Sequence, residues 1–76
     1  MEKRIQDIVD LAGIYGYTLY LEEARQVNFR NENKDLLIIY WSSKKPTYTV
    51  NLKLNGQKVN SLKNCTISAI ENVLIY

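Results

Sequence analysis

Apolar residues recur at Ile5, Ile8, Val9 and Ala12, the spacing of one helix face, while Glu2, Gln6, Asp7 and Asp10 fall toward water. The pattern predicts a helix over residues 2–15, widened by Leu11 and Ile14 and stopped at Gly13 or Gly16, of which Gly16 suits the left-handed position that commonly ends a helix. Beyond Gly16 the period changes. Tyr17, Leu19 and Leu21 alternate as a strand does, although Tyr17, Tyr20, Leu21 and Ala24 also fit a helical face; we read a short strand and a turn through Glu22-Glu23. Val27 to Asn31 follows as a strand, Val27 and Phe29 on one side and Asn28 and Arg30 on the other, and Asn31 to Lys34 is a polar cluster of hairpin length.

The stretch from Asp35 to Asn60 is the centre of the chain. Two runs rich in β-branched and aromatic residues, Asp35–Ser43 and Thr47–Leu54, are split by Lys44-Lys45-Pro46 and followed by Asn55-Gly56, the strongest short-range hairpin signal. With Asn55 and Gly56 as the central residues of a type I′ turn, Leu54 faces Gln57, Lys53 faces Lys58, Leu52 faces Val59 and Val50 faces Ser61. Pairing back across Lys44-Lys45 sets Trp41 opposite Tyr48, Ile39 opposite Val50 and Leu37 opposite Leu52, which together form the core face. The other face carries Leu36, Ile38 and Tyr40 beside Thr47, Thr49, Asn51, Lys53, Lys58 and Asn60. The strand Leu36–Trp41 is therefore apolar on both sides, as expected of a strand covered on both, by the first helix, by Val27 and Phe29, by a second copy or by a partner.

In the last segment Ile67, Ile70 and Leu74 make a helical stripe with Thr66 or Ser68 as its cap, the latter in a capping-box pattern with Glu71; Val73–Tyr76 also fits a final strand. The whole predicts one small α+β domain over residues 1–76: an N-terminal helix, a three- to four-stranded antiparallel meander and a short C-terminal helix. Several small binding folds share this order, the double-stranded-RNA-binding domain among them. That family opens its second helix with a basic patch, where this chain reads Asn64-Cys-Thr-Ile-Ser-Ala-Ile-Glu71, so the likeness is one of element order alone.

Composition narrows the functions. The chain has 76 residues, 46% of them hydrophobic and 24% charged, enough for one core and no more. It has no His and a single Cys, which leaves no internal disulfide and no His/Cys zinc site. Asp7, Asp10, Glu22 and Glu23 read as solvated surface rather than as an acid–base pair. Cys65 precedes the last helix, where a helix dipole lowers a thiol pKa, but with no His to act as base we read it as a small apolar residue. Gly13, Gly16 and Gly56 fit no phosphate-loop spacing. We therefore expect no enzyme, cofactor, metal or small-molecule substrate. A lone thiol, no secretory leader and no apolar run of membrane length point to the cytoplasm.

Two binding surfaces remain. The chain has six Tyr and one Trp, and tyrosine is favoured at interfaces because it buries area with a polar tip. Tyr20, Leu36, Ile38, Tyr40 and Tyr76 are left unclaimed by the core register. They suggest a protein-binding module, an inhibitor or accessory factor of the kind mobile elements encode, acting on another protein or on itself as a homodimer. The net charge of +2 is modest. Even so, Arg30, Lys44, Lys45, Lys53 and Lys58 offer a second reading, a basic sheet face for nucleic acid.

Overall fold

A computed structural model of the protein describes residues 3–75. Helix α1 (Lys3–Ile14) is followed by strands β1 (Thr18–Glu23), β2 (Gln26–Arg30), β3 (Leu36–Trp41), β4 (Tyr48–Leu54) and β5 (Gln57–Cys65), and then by helix α2 (Ile67–Leu74). The strands form one antiparallel sheet in chain order, β1-β2-β3-β4-β5, so the expected three to four strands are five among the described residues. Both edge strands also run longer than expected. Glu22 and Glu23 extend β1 instead of turning, which moves the turn to Ala24-Arg25, and β5 runs on past Asn60 to Cys65.

Helix α1 buries Ile5, Ile8 and Ala12, the predicted stripe. It ends in a Schellman arrangement: the Tyr17 N–H donates to Ala12 O at 3.0 Å and the Gly16 N–H to Gly13 O at 3.1 Å, with Gly16 at φ +86°. A residue with a Cβ would be strained there, which is why glycine ends this helix. Thr66 caps α2 with its hydroxyl accepting from the Ala69 N–H at 3.3 Å. Ser68 lies inside the helix, so its capping box with Glu71 does not form; Glu71 instead accepts the Tyr15 hydroxyl at 2.9 Å and ties the two helices together. Helix continues through Leu74, which excludes a final strand over the described part of 73–76.

Both helices pack on the same side of the sheet. Ile5, Ile8, Ala12, Ile70, Val73 and Leu74 join Val27, Phe29, Leu37, Ile39, Trp41, Tyr48, Val50, Leu52 and Cys65 in one buried cluster. The register of β3 against β4 is as the sequence predicts, Trp41 opposite Tyr48, Ile39 opposite Val50 and Leu37 opposite Leu52. That of β4 against β5 holds only as far as Lys53 and Lys58. A bulge at Val59 then sets Leu52 opposite Asn60 and Val50 opposite Leu62, displacing Val59 and Ser61 from their expected partners and moving Asn60 from the expected polar face to the side of Leu52. A second bulge, with Asn64 at φ +55°, brings Cys65 opposite Tyr48.

Asp35 ties the turns at one end of the sheet. Its backbone N–H donates to Asn31 Oδ1 at 2.9 Å, while its own carboxylate accepts from Asn31 Nδ2 at 3.0 Å and from the Asn55 N–H at 3.4 Å. The β2–β3 and β4–β5 turns are thus held by one buried carboxylate with hydrogen-bond partners, as a buried charge requires. At the opposite end the Arg4 guanidinium lies 5.8 Å from the Trp41 ring centre and 5.3 Å from that of Tyr48, closing the core edge where those rings meet in a T-shape.

Candidate functional site

Strand alternation leaves the second side of the sheet without a covering element among the described residues. Pairing across the five strands arranges its side chains in three rows. The first runs Thr18, Arg30, Leu36, Lys53, Lys58; the second Leu21, Asn28, Ile38, Asn51, Ser61; the third Glu23, Gln26, Tyr40, Thr49. Helix α1, Val27 and Phe29, three of the expected covers for Leu36, Ile38 and Tyr40, all belong to the opposite, core side.

The centre of this open face is apolar and its frame is polar. Ile38 lies between Asn28 and Asn51. Both asparagines are fixed by neighbours: Gln26 Nε2 donates to Asn28 Oδ1 at 3.0 Å, and the Ser61 hydroxyl donates to Asn51 Oδ1 at 2.8 Å. Around them Tyr20, Leu21 and Tyr40 are 46%, 41% and 40% exposed, a large fraction for side chains of this size. The Arg30 guanidinium lies over the Tyr20 ring, 4.3 Å from its centre, a contact that favours this placement of the ring.

Of the residues expected to bind protein, Leu36, Ile38 and Tyr40 share this face by register and Tyr20 by its ring contact with Arg30, while Tyr76 lies outside the described residues. Leu21 joins them although simple alternation puts it with Tyr17 and Leu19. A bulge at Tyr20 shifts the register, so Leu19 pairs with Phe29 on the core side and Leu21 with Asn28 on the open side. The expected basic set is divided by the fold. Arg30, Lys53 and Lys58 share one row, but Lys44 and Lys45 sit in the β3–β4 turn at the other end of the strands, about 20 Å away at the usual rise per residue.

At that other end the open face runs into a depression of about 440 Å³ lined by Tyr40, Trp41, Lys45, Tyr48, Thr49 and Asn64. It is of a size that receives a large side chain or a small ligand. The sequence did not announce it: its lining comes from β3, the β3–β4 turn, β4 and the bulged Asn64, and the sequence offers only an Asn there, a residue type that tolerates the left-handed conformation it adopts.

Cys65 contributes no reactive group to this face. Its side chain is buried on the core side, and burial pushes its thiol pKa up, opposite to the lowering a helix dipole would bring. Among the described residues no cluster of His, Cys, Asp and Glu is placed to hold a metal ion, and no helix is long and apolar enough to cross a membrane. No family model matches the chain, and no curated protein or solved structure matches it either.

Proposed function

We propose that this chain is a non-enzymatic protein-binding module whose docking surface is the open face of its sheet, centred on Leu36, Ile38 and Tyr40 and extended by Tyr20 and Leu21. One observation carries the reading. Strand β3 is apolar on both sides, yet the helices cover only one of them. A central strand that is solvated on one face ordinarily alternates apolar and polar residues. The edges of the sheet point the same way, for β1 and β5 both carry bulges and β5 carries Lys58 and Lys63, devices that discourage pairing with another strand. The face, not an edge, is the surface left for a partner. The depression beside Tyr40 supports this by offering a pocket for an anchoring side chain, the arrangement that concentrates binding energy in protein interfaces. A module that acts by occupying a partner's surface fits an inhibitor or accessory factor, and its single thiol suits a reducing compartment such as the cytoplasm.

The test is selection from a displayed library of random peptides, followed by binding measurements on the wild type and on an Ile38→Glu variant. Peptides that bind the wild type and lose the variant support the reading. If every selected peptide binds the two equally, the open face is not the docking surface.

A second reading, nucleic-acid binding, draws on the row Arg30, Lys53, Lys58. It predicts an affinity for oligonucleotides that falls by about 0.7 to 0.9 log units per log unit of salt for each phosphate neutralised. The aliphatic centre of the face and the occupied ring face of Tyr20 favour the protein partner over a stack of bases.

A further inference from the structure

We infer that the partner is an amphipathic segment of a different protein, apolar on the side that meets Ile38 and acidic along the side that meets Arg30, Lys53 and Lys58. This rests on the reading of the open face as a protein-docking surface and adds what kind of partner it takes. The carrying observation is the charge layout of that face. The pairing register sets Arg30 of β2, Leu36 of β3, Lys53 of β4 and Lys58 of β5 side by side, and Lys53 directly opposes Lys58. Like charges placed across a strand pair destabilise a sheet. A row of them along one margin of an apolar patch becomes favourable when carboxylates lie over it. Glu23 is the one acid that the register places on this face among the described residues, and it stands in the row farthest from the cations. Among the described residues no ion pair joins Arg30, Lys53 or Lys58 to an acid; the Asp35 carboxylate at this end of the sheet is buried and engaged by Asn31 and the Asn55 N–H.

The spacing suits a short acidic element. Lys53 and Lys58 are neighbours across one strand spacing of about 4.8 Å, and Arg30 lies about two spacings from Lys53, so the row spans about 14 Å. Carboxylates on successive turns of a helix, about 5.4 Å apart, match that interval. Arg30 is already held in place by its stack on Tyr20, so less of its conformational freedom is lost when it receives a carboxylate.

A second copy of the chain is a poor occupant on two counts. Five strands each about 4.8 Å wide and about six residues long give a face of about 480 Å² in projection, a small footprint for the roughly 800 Å² of accessible surface that each partner contributes to a standard stable interface. Aligned face-to-face packing also leaves the two lysines unmatched. A two-fold axis along the strands lays the basic row over its own copy, and an axis across them lays Arg30 over Gln26 and Lys53 over Thr49. The second axis brings Glu23 only over Thr18, beside Arg30, and neither axis brings a carboxylate to Lys53 or Lys58.

The experiment is the display selection with random peptides of about 16 residues, read for composition. Peptides enriched on the wild type should combine apolar residues with a net negative charge and should bind more weakly as salt rises. Reversing two of the cations, Lys53→Glu with Lys58→Glu, should weaken them about 30-fold, from attraction lost and repulsion gained at two exposed pairs. Reselection on that variant should enrich basic peptides. Thermal melts of the double variant and of the milder Lys53→Gln, Lys58→Gln pair separate a binding effect from a folding one. Ile38-dependent binders that are neutral or basic would overturn the acidic partner and leave the docking surface standing. An absence of Ile38-dependent binders would overturn the docking surface itself. A dimer by light scattering at micromolar concentration would make the occupant a second copy, and salt-sensitive binding of a mixed-sequence oligonucleotide would make it nucleic acid; either result overturns the inference.

Discussion

Truncating Ile39 to Ala should cost several times more stability than truncating Ile38, although the two residues are identical and adjacent. Ile39 is fully buried between Val27 and Val50 beneath the helices, whereas Ile38 is only partly buried between Asn28 and Asn51. Large-to-small changes in a packed core lose the transfer free energy of the removed carbons and leave a cavity, about 3 to 4 kcal/mol for a site like Ile39. At Ile38 no closed cavity forms and less apolar area returns to water, so about 1 kcal/mol is expected. The difference in strand preference between Ile and Ala is shared by both sites and cancels in the comparison. A chain of this length is stable by about 4 to 11 kcal/mol, so Ile39→Ala brings it near the unfolding threshold while Ile38→Ala leaves a cooperative fold. The gap of about 2 to 3 kcal/mol should separate the melting temperatures by about 10 to 20 °C. The assay is urea or thermal unfolding followed by circular dichroism and by the fluorescence of Trp41, at two protein concentrations tenfold apart. Should Ile39→Ala fail to fold, Ile39→Val, at about 1 kcal/mol, can be set against Ile38→Val, which should be close to neutral. Equal losses at the two positions would refute the one-sided core, and an Ile38 loss that grows with concentration would show the open face packed against another copy.

Three further outcomes follow from other parts of the fold. Asp35→Ala should destabilise by about 1 to 3 kcal/mol, because it removes the acceptor of Asn31 Nδ2 and of the Asn55 N–H; in a chemical-denaturation series Asp35→Asn, which keeps one acceptor oxygen, should lose less, and equal loss would show that the link between the turns contributes little. Gly16→Ala should lose about 1 kcal/mol, since an L side chain at φ +86° is strained even in open space, whereas Gly13→Ala, inside the helix with nothing near its Cβ, should gain about 0.5 to 1 kcal/mol; melting both variants checks the opposite signs. Alkaline pH should weaken the fold. Burial raises the thiol pKa of Cys65 above its usual 9.0. For Tyr17, burial and then the charge of Asp35 raise the pKa above 10.0. For Tyr15, the hydrogen bond to Glu71 is the leading cause, followed by burial and the Glu71 charge. All three groups hold their protons more tightly when folded, so the unfolded chain ionises first and stability, complete below pH 9, declines as pH rises through and beyond the usual thiol and phenol range. Unfolding titrations from pH 7 to 12 read this, and a midpoint flat or rising above pH 9 would contradict it.

The elements that repeat a local rule were legible in the chain. The stripe Ile5, Ile8, Ala12 specifies a helix because only one face of a 3.6-residue period can be buried, and Gly16 ends it because the left-handed turn excludes a Cβ. Asn55-Gly56 sets the last hairpin because both residues take positive φ, and from there the pairing of Lys53 with Lys58 follows; the core register of β3 against β4 follows from the spacing across Lys44-Lys45. The two sides of β2, β3 and β4 could be told apart by alternation and register alone, and with them the grouping of Leu36, Ile38 and Tyr40.

What the tertiary structure decided is where alternation breaks and which side of the sheet is covered. A bulge inserts a residue without a local sequence signature strong enough to announce it, so the bulge at Tyr20 carried Leu21 to the open face and the one at Val59 carried that residue out of the core register. The strand edges moved for a related reason. Glu22 and Glu23 suit a turn by composition, but pairing with Val27 and Gln26 kept them in β1. The charges on turns and strands were visible one by one, but their division into a row at one end of the sheet and a pair about 20 Å away depends on strand order and direction. The covering of the sheet is equally non-local. Each helix has one apolar stripe and β3 has two apolar sides, and nothing in the chain states that both stripes choose the same one. The helices meet there through Tyr15 and Glu71, bury Ile8, Ile70 and Val73 against Val27, Phe29 and Ile39, and leave Ile38 to water because two short helices fill a single layer.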